Sequence, residues 1–444
     1  MLLANPIQSH ASAKPHALAV RFEEQQWTWS ELLAEVRQRA CDLDDHGVKP
    51  GHRVALKQRP GMMWMRDFHA AIWLGAVPVL FSDKLANKEF FSRLEKAEVQ
   101  WRLDEILRDT STGGNSSGQQ AEPWTLESPL FMVWTSGSTG PASLVPVLTR
   151  QAIFSAIGAM SRLGVSSNDT WLAALPLHHV GGAQIAVRAA IFGFAVEVHP
   201  TFDAHACNEA IDTGRIQVFS AVPKMLTDIL NAREDLLFPD SLRAIMLGGA
   251  RASDSLMKRL KAIDAPVSLT WGMSETGSHV ATNVPGDLGT SFPFLPFTEV
   301  EARDGVLEVI GPLAPDGRLR TSDRGEVTVD GKVRVTGRRD NVIISGGENI
   351  DLDRLEKVYE THPAIREVVA VGLDDMTWGA RPHLAFVKEE EIEADDLRAF
   401  GSEHLEEFEI PDSFTPLETF PRNHTGKTDR AELARRLRQR VTPS

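Results

Sequence analysis

Cysteine is nearly absent. Cys41 and Cys207 are the only two in 444 residues, and no spacing motif pairs them. A disulfide scaffold is thereby excluded, and a reducing compartment fits. An excess of positive charge is also lacking: 47 Lys and Arg stand against 61 Asp and Glu, for a formal net charge of -14. Broad nucleic-acid binding needs a basic face and is excluded, while one local basic pocket for phosphates stays compatible. No apolar run reaches membrane length. The longest, Ala70 to Phe81, is broken by Gly75 and Pro78 and falls short of the roughly 20 residues a spanning helix needs. Met1 to His10 has no basic start followed by an apolar stretch, so no secretory leader is read there. The expectation is a cytoplasmic protein without membrane or nucleic-acid partners, its oligomeric state left open and a homo-oligomer allowed.

What is present is a globular mixture, 42% hydrophobic and 24% charged, in a chain long enough for two or more domains. The alternation of Leu18, Val20 and Phe22 predicts a strand, and Thr28 or Ser30 could cap the helix after it. Arg53 to Leu56 and Val77 to Phe81 read as further strands, with a buried helix end at Ala70 to Leu74. This alternation predicts an α/β fold with largely parallel strands. Asp109 to Pro123 is polar and reads as a surface loop. Leu130 to Trp134 is a dense apolar run, read as a buried strand. Ala244 to Leu247 and Val267 to Thr270 are read likewise, both running into glycines. From Val300 to Val335 short alternating strands with Gly and Asp turns predict a β-meander. Beyond about residue 340 comes a smaller unit. It has a helical face at Leu352, Leu355 and Val358, strands at Val368 to Val371 and Leu384 to Val387, and a helix over about Asp395 to Glu407. The expected fold is therefore α/β, with a large N-terminal domain of mixed α/β subdomains plus a β-rich part, a hinge, and a small α+β C-terminal domain. The boundaries are 1–337, 338–341 and 342–444.

The strand at Leu130 to Trp134 delivers the chain into Thr135-Ser136-Gly137-Ser138-Thr139-Gly140. Glycines let backbone N–H groups approach an anion, and hydroxyls add donors. No Gly-Lys-Ser/Thr follows, so this is not a Walker A loop. Taken alone, it is as readily a polar turn as a phosphate cradle. Seven further motifs follow it in order: Leu175 to Gly182, Leu247-Gly248-Gly249-Ala250, Trp271-Gly272-Met273-Ser274-Glu275, Thr321-Ser322-Asp323, Gly337-Arg338-Arg339-Asp340, Ser345 to Ile350, and Pro421 to Lys427. Together they resemble the adenylate-forming superfamily, which holds acyl-CoA synthetases, luciferases and the adenylation domains of peptide synthetases.

The resemblance implies ATP, Mg²⁺ and coenzyme A as reactants and a role for each motif. Thr135 to Gly140, Gly248, Gly249, Trp271, Gly272, Ser274, Asp323 and Arg338 would bind ATP, Asp323 by accepting the ribose hydroxyls. Glu275, and with it Thr139, would hold Mg²⁺. Lys427 would be the catalytic lysine. When a carboxylate attacks the α-phosphate two anions must meet, and a mobile ammonium offsets their repulsion. His179 and Gly249 would border the acid. Asp340 would be the pivot of a domain rotation, and Gly346 and Gly347 would line the passage for the CoA thiol. Each residue also has an ordinary reading: Lys427 as a solvated cation, Glu275 as a surface carboxylate, Asp323 as a turn residue, Asp340 as a cap, His179 as a core histidine. His178, His179 and Cys207 make no convincing zinc spacing.

Two departures stand out. The loop is followed by Pro141-Ala142-Ser143 where the family carries Pro and then Lys, so a loop lysine for the β- and γ-phosphates is missing. Trp271 replaces the usual tyrosine, which keeps an aromatic face for adenine and loses a hydroxyl contact.

The acid is narrowed by length and by Arg188. The compact chain, Ser322 to Glu326, Gly337 to Ile350, His362 to Ile365 and Gly379 to Pro382 resemble the o-succinylbenzoate–CoA ligases of menaquinone biosynthesis. Arg188 lies within the apolar stretch Ile185 to Ile191, where a charge needs a partner. A structural salt bridge or a snorkelling side chain would satisfy it. So would the second carboxylate of a dicarboxylic substrate, and o-succinylbenzoate is one. A benzoate-type aryl-CoA ligase and an adenylation module that loads a carrier protein remain the alternatives.

Overall fold

The computed structural model describes residues 2–104, 120–135, 142–345, 348–375, 378–423 and 427–441. The polar segment 109–119 and the loop 136–141 lie outside them, as do Gly346 and Gly347.

The largest sheet has eight strands. In spatial order they are Ser278–Thr282, Val267–Met273, Ala244–Leu247, Val218–Ala221, Thr170–Ala173, Ala195–Val198, Leu18–Phe22 and Gln25–Thr28. The inner pairings are parallel and the two outermost antiparallel. Every position of the four central strands from Ala244 to Ala195 is buried, because helices cover both faces of a parallel sheet. A second sheet orders Trp101–Arg102, Arg53–Leu56, Val77–Leu80, Pro129–Thr135 and Ser143–Leu148. Its last pair is an antiparallel hairpin, and the Ser/Thr/Gly loop joins its two strands. The expected cap at Thr28 is observed as a full capping box with Glu31.

The β-meander is a five-stranded antiparallel sheet built from Ser291–Pro293, Glu299–Arg303, Val306–Ile310, Arg318–Val327 and Lys332–Arg338. Its ladder sets Asp323 opposite Arg338. The C-terminal domain has its own core around Leu355, Tyr359, Leu384 and Leu397. One expectation there needs correction. The helix read over about 395–407 is Ala394–Ser402, and a short 3-10 turn, Glu407–Glu409, follows. Glu403, Glu406, Glu407 and Glu409 would crowd negative charge onto the negative end of a longer helix. Gly401 also packs on Tyr359, where a Cβ would meet the phenol oxygen at 2.1 Å.

Two helices of the large domain, Trp29–Asp45 and Met62–Trp73, are joined by a buried ion pair. Arg39 Nε donates to Asp67 Oδ1 at 3.1 Å, and both side chains are almost fully buried. Gln58 and Arg66 also donate to Asp67, and Arg39 donates to the Leu103 carbonyl. Asp67→Ala should leave two guanidinium groups without their carboxylate and cost about 3 kcal/mol. A fall in the urea unfolding midpoint of that order is the expected result, and a change within experimental scatter would show the pair to be dispensable.

Candidate functional site

Several motifs follow the carboxyl ends of parallel strands, the place where open α/β sheets bind ligands. Pro129–Thr135 ends at the Ser/Thr/Gly loop, Ala244–Leu247 runs into Gly248 and Gly249, and Val267–Met273 runs into Ser274 and Glu275. Leu175 to Gly182 leaves the end of Thr170–Ala173 and enters the helix Val180–Phe192, whose N-cap is His179. His178 and His179 sit half-buried at this entry with ring centroids 4.2 Å apart. Cys207 faces His199 instead, at 3.8 Å.

Glycine is required here by geometry. At Gly272 a Cβ would lie 2.1 Å from the Ser278 carbonyl oxygen, because the ladder with Ser278–Thr282 shifts register at that point. Gly249 has φ +81, a left-handed conformation that costs a residue with a Cβ. A Cβ there would also lie 3.5 Å from Lys427 Cε and 4.0 Å from Lys427 Nζ. Lys427, from the C-terminal domain, thus rests on the glycine turn of the large domain.

Three features hold Lys427 in place. Its backbone N–H donates to Asn423 Oδ1 at 3.0 Å. Arg430, which opens the helix Arg430–Val441, donates to Glu356 at 2.8 Å and to the Ala370 carbonyl at 2.7 Å. The segment before the helix is thereby tied to the C-terminal core. Beside residues 338–341, Asp353 accepts from the Arg338 N–H and from Asn341 Nδ2, each at 2.8 Å. Arg324–Asp351 at 3.0 Å and Arg251–Glu360 at 3.2 Å bridge the same two domains. The side chain of Asp340 lies outside the described residues.

Asp323 and Trp271 meet on the other wall. Trp271 Nε1 donates to Asp323 Oδ2 at 2.7 Å, and the Asp323 N–H donates to Thr321 Oγ1 at 3.0 Å. Position 271 lacks the tyrosine hydroxyl usual in the family, and an indole N–H contact is present there. Glu275 lies half-buried on a 3-10 turn, Ser274–Thr276. Two buried glutamines brace that turn. Gln151 Nε2 donates to the Glu275 carbonyl at 2.8 Å, and Gln184 Nε2 donates to the Gly277 carbonyl at 2.6 Å.

Arg188 is the most unusual charge in the molecule. It is 1% exposed and does not snorkel. Among the described residues no carboxylate pairs with it. Nη2 donates to Ser278 Oγ at 3.2 Å and to Ser155 Oγ at 3.4 Å, Nη1 approaches Met246 Sδ at 3.7 Å, and the guanidinium lies 5.4 Å from the Trp171 ring centroid. Burial pulls its pKa down to about 9, so it remains a cation at neutral pH. His279 contacts the Ser155 carbonyl through Nε2 and Thr282 Oγ1 through Nδ1. Burial first, then the charge of Arg188, push its pKa down to about 3. The ring is therefore neutral and supplies no counter-charge.

Both earlier explanations of Arg188, a salt bridge and a snorkelling stem, are set aside by this geometry among the described residues. Gln151, Gln184, Ser155 and Ser278 were not singled out from the sequence. Gln184 carried a usable signal. It is polar within the same apolar helix and four residues from Arg188, hence on its face. Small hydroxyl residues such as Ser155 carry none.

Lys427 is exposed, yet the cleft walls surround it on most sides. Desolvation by those walls lowers its pKa below the ordinary lysine value, the Arg338 charge acts in the same direction, and Asp323 opposes both. A lowered pKa means more neutral amine at a given pH. Under brief treatment with an amine-acylating reagent at mildly alkaline pH, Lys427 should be modified ahead of Lys49 and Lys224. Peptide mass mapping reads the order, and labelling of all three at one rate would contradict the lowered value.

Comparison with known proteins places these features in a family. Residues 7–337 match the model of the AMP-binding enzyme family, and residues 354–427 match that of the AMP-binding enzyme C-terminal domain. The chain is 30% identical over 471 residues to a 2-succinylbenzoate–CoA ligase of Bacillus cereus strain Q1, covering 97% of this chain and 98% of that one. Its structure is similar to that of o-succinylbenzoate CoA synthetase (MenE) from Bacillus subtilis in complex with the acyl-adenylate intermediate OSB-AMP. That match has a TM-score of 0.87 at 28% identity and covers 98% of each chain. The same enzyme in complex with ATP and magnesium ion matches with a TM-score of 0.87 at 28% identity, over 98% of this chain and 100% of that one. With its sheets, its site and both of its domains accounted for in this way, the chain belongs to the AMP-binding enzyme family.

Proposed function

We propose that this chain is an AMP-forming o-succinylbenzoate–CoA ligase acting in menaquinone biosynthesis. The observation that carries the choice of acid is Arg188, a buried cation with no carboxylate partner among the described residues. A dicarboxylic acid supplies the missing anion, and a simple benzoate or fatty acid does not. Full-length similarity to 2-succinylbenzoate–CoA ligases supports the same reading.

In the first half-reaction one carboxylate oxygen of the acid attacks the α-phosphorus of ATP and pyrophosphate leaves. Lys427, beside Gly249, Asp323 and Arg338, is placed to spread its charge between the two anions. Asp323 receives the ribose hydroxyls, with Arg338 across the ladder, while Gly248, Gly249, Trp271, Gly272 and Ser274 frame the adenosine. His179 closes the acid side. Thr135 to Gly140 wrap the phosphates. Mg²⁺ binds few protein groups and takes most of its ligands from phosphates and water. A lone half-buried carboxylate on a braced turn fits that demand, so Glu275, with Thr139, would hold it, and it would neutralise the phosphates. In the second half-reaction the CoA thiol attacks the acyl carbonyl and AMP leaves. The C-terminal domain turns about Asp340 for this step and brings Gly346 and Gly347 to the thiol's path. No lysine follows the phosphate loop, so a larger share of the charge falls on Lys427.

Arg188→Ala should lower kcat/KM for o-succinylbenzoate about thirtyfold or more, since unpairing a buried charge costs at least ~2 kcal/mol, and should leave benzoate turnover much less affected. An equal loss for both acids would make Arg188 structural.

Lys427→Ala should lower acid-dependent ATP–pyrophosphate exchange by about a hundredfold yet leave thioester formation from supplied acyl-adenylate largely intact. Because the Lys427 pKa is lowered, exchange in the wild type should fall with rising pH before the ordinary lysine range is reached. Equal loss of both half-reactions, or no exchange with any aryl or acyl acid, would overturn this assignment.

A further inference from the structure

The contact between Trp271 and Asp323 has a role that stacking on adenine does not explain. Trp271 is 7% exposed, and its ring packs in the cluster with Val280, Ala281, Leu295 and Leu307. The indole is thus fixed by the core, and its one polar atom, Nε1, points at Asp323 Oδ2. The backbone of Asp323 is fixed in turn by Thr321, whose hydroxyl accepts the Asp323 N–H and donates to the Leu307 carbonyl at 2.8 Å.

We infer that Trp271 is a positioning residue for the nucleotide's ribose, acting by fixing the orientation of the Asp323 carboxylate so that its remaining lone pairs face the two ribose hydroxyls. This rests on the proposed reading that Asp323 receives the ribose. The chemistry of the indole makes the assignment specific. Trp is a donor only, whereas a tyrosine hydroxyl both donates and accepts. A tyrosine at this position could turn and compete for a ribose O–H. An indole cannot, so it does not compete with the Asp323 carboxylate, itself acceptor-only when ionised, for the ribose O–H groups. One indole bond occupies one of roughly four acceptor sites on the carboxylate, which leaves enough for both hydroxyls. A lone rotating carboxylate would lose that orientation each time nucleotide departs.

The test compares ATP with dideoxy-ATP, which lacks both ribose hydroxyls, in pyrophosphate exchange. Trp271→Phe keeps an aromatic face and removes the N–H. It should raise KM for ATP about tenfold, the scale of one hydrogen bond to a charged group, and lower kcat less. With dideoxy-ATP the rise in KM should largely vanish. An equal rise for both nucleotides would reduce Trp271 to packing or stacking and overturn the inference. Asp323→Asn separates the two levels. If it leaves the preference for ATP over dideoxy-ATP unchanged, the ribose reading itself fails, whatever Trp271 does. If Trp271→Phe does not fold, the indole N–H magnetic resonance signal of isotope-labelled tryptophan in the wild-type chain serves instead. One such signal should move on adding ATP and much less on adding dideoxy-ATP. Equal shifts with both nucleotides would overturn the inference by that route.

Discussion

Removing a guanidinium from water without an anion beside it is one of the more costly things a fold can do, and the architecture around Arg188 is arranged to bear that cost. The helix Val180–Phe192 buries Arg188 among mostly apolar residues, and its charge is met by weak neutral groups: two serine hydroxyls, a methionine sulfur and the face of Trp171. The neighbouring imidazole is kept neutral by the same burial. Ser278 follows directly on the turn that carries Glu275, and Met246 precedes Gly248 and Gly249. A charge in this spot therefore sits close behind both the turn that carries Glu275 and the glycine turn. The selectivity of the proposed reaction depends on that spot staying short of one anion.

The order of the strands was legible because parallel sheets bury continuous apolar runs. Leu130 to Trp134, Ala244 to Leu247 and Val267 to Thr270 read as strands from those runs alone. The motifs were legible because glycine and hydroxyl residues cluster where backbones approach other groups closely. Gly272 and Gly249 show the reason, one in a contact with no room for a Cβ and one with a positive φ. Side-chain partners were much less legible. That Trp271 would reach Asp323, or that Gln151 would brace Glu275, depends on three-dimensional closure between segments 52 and 124 residues apart. The helix end at Ser402 was misplaced because glutamate is a good helix former, while the negative charge it would crowd at a helix C-terminus opposes continuation.

Among the described residues the two domains meet through several polar contacts. Lys427 touches the glycine turn, Arg324 and Arg251 reach across to Asp351 and Glu360, and each domain keeps a separate core. Such an interface holds an orientation while leaving it exchangeable, which suits two half-reactions performed in sequence on one intermediate.

Asp353 shows what that exchange entails. Both of its oxygens are committed to residues 338–341, one to the Arg338 N–H and one to the Asn341 amide. In the proposed swing of the C-terminal domain, undoing these contacts would amount to hydrating an aspartate, with water replacing each lost donor. Swapping a protein partner for water leaves a net difference of about 1.5–3 kcal/mol per bond when one partner is charged. Under that reading the two bonds form a polar latch that helps order Lys427 over the glycine turn, and one whose donors and acceptor water would take over on opening.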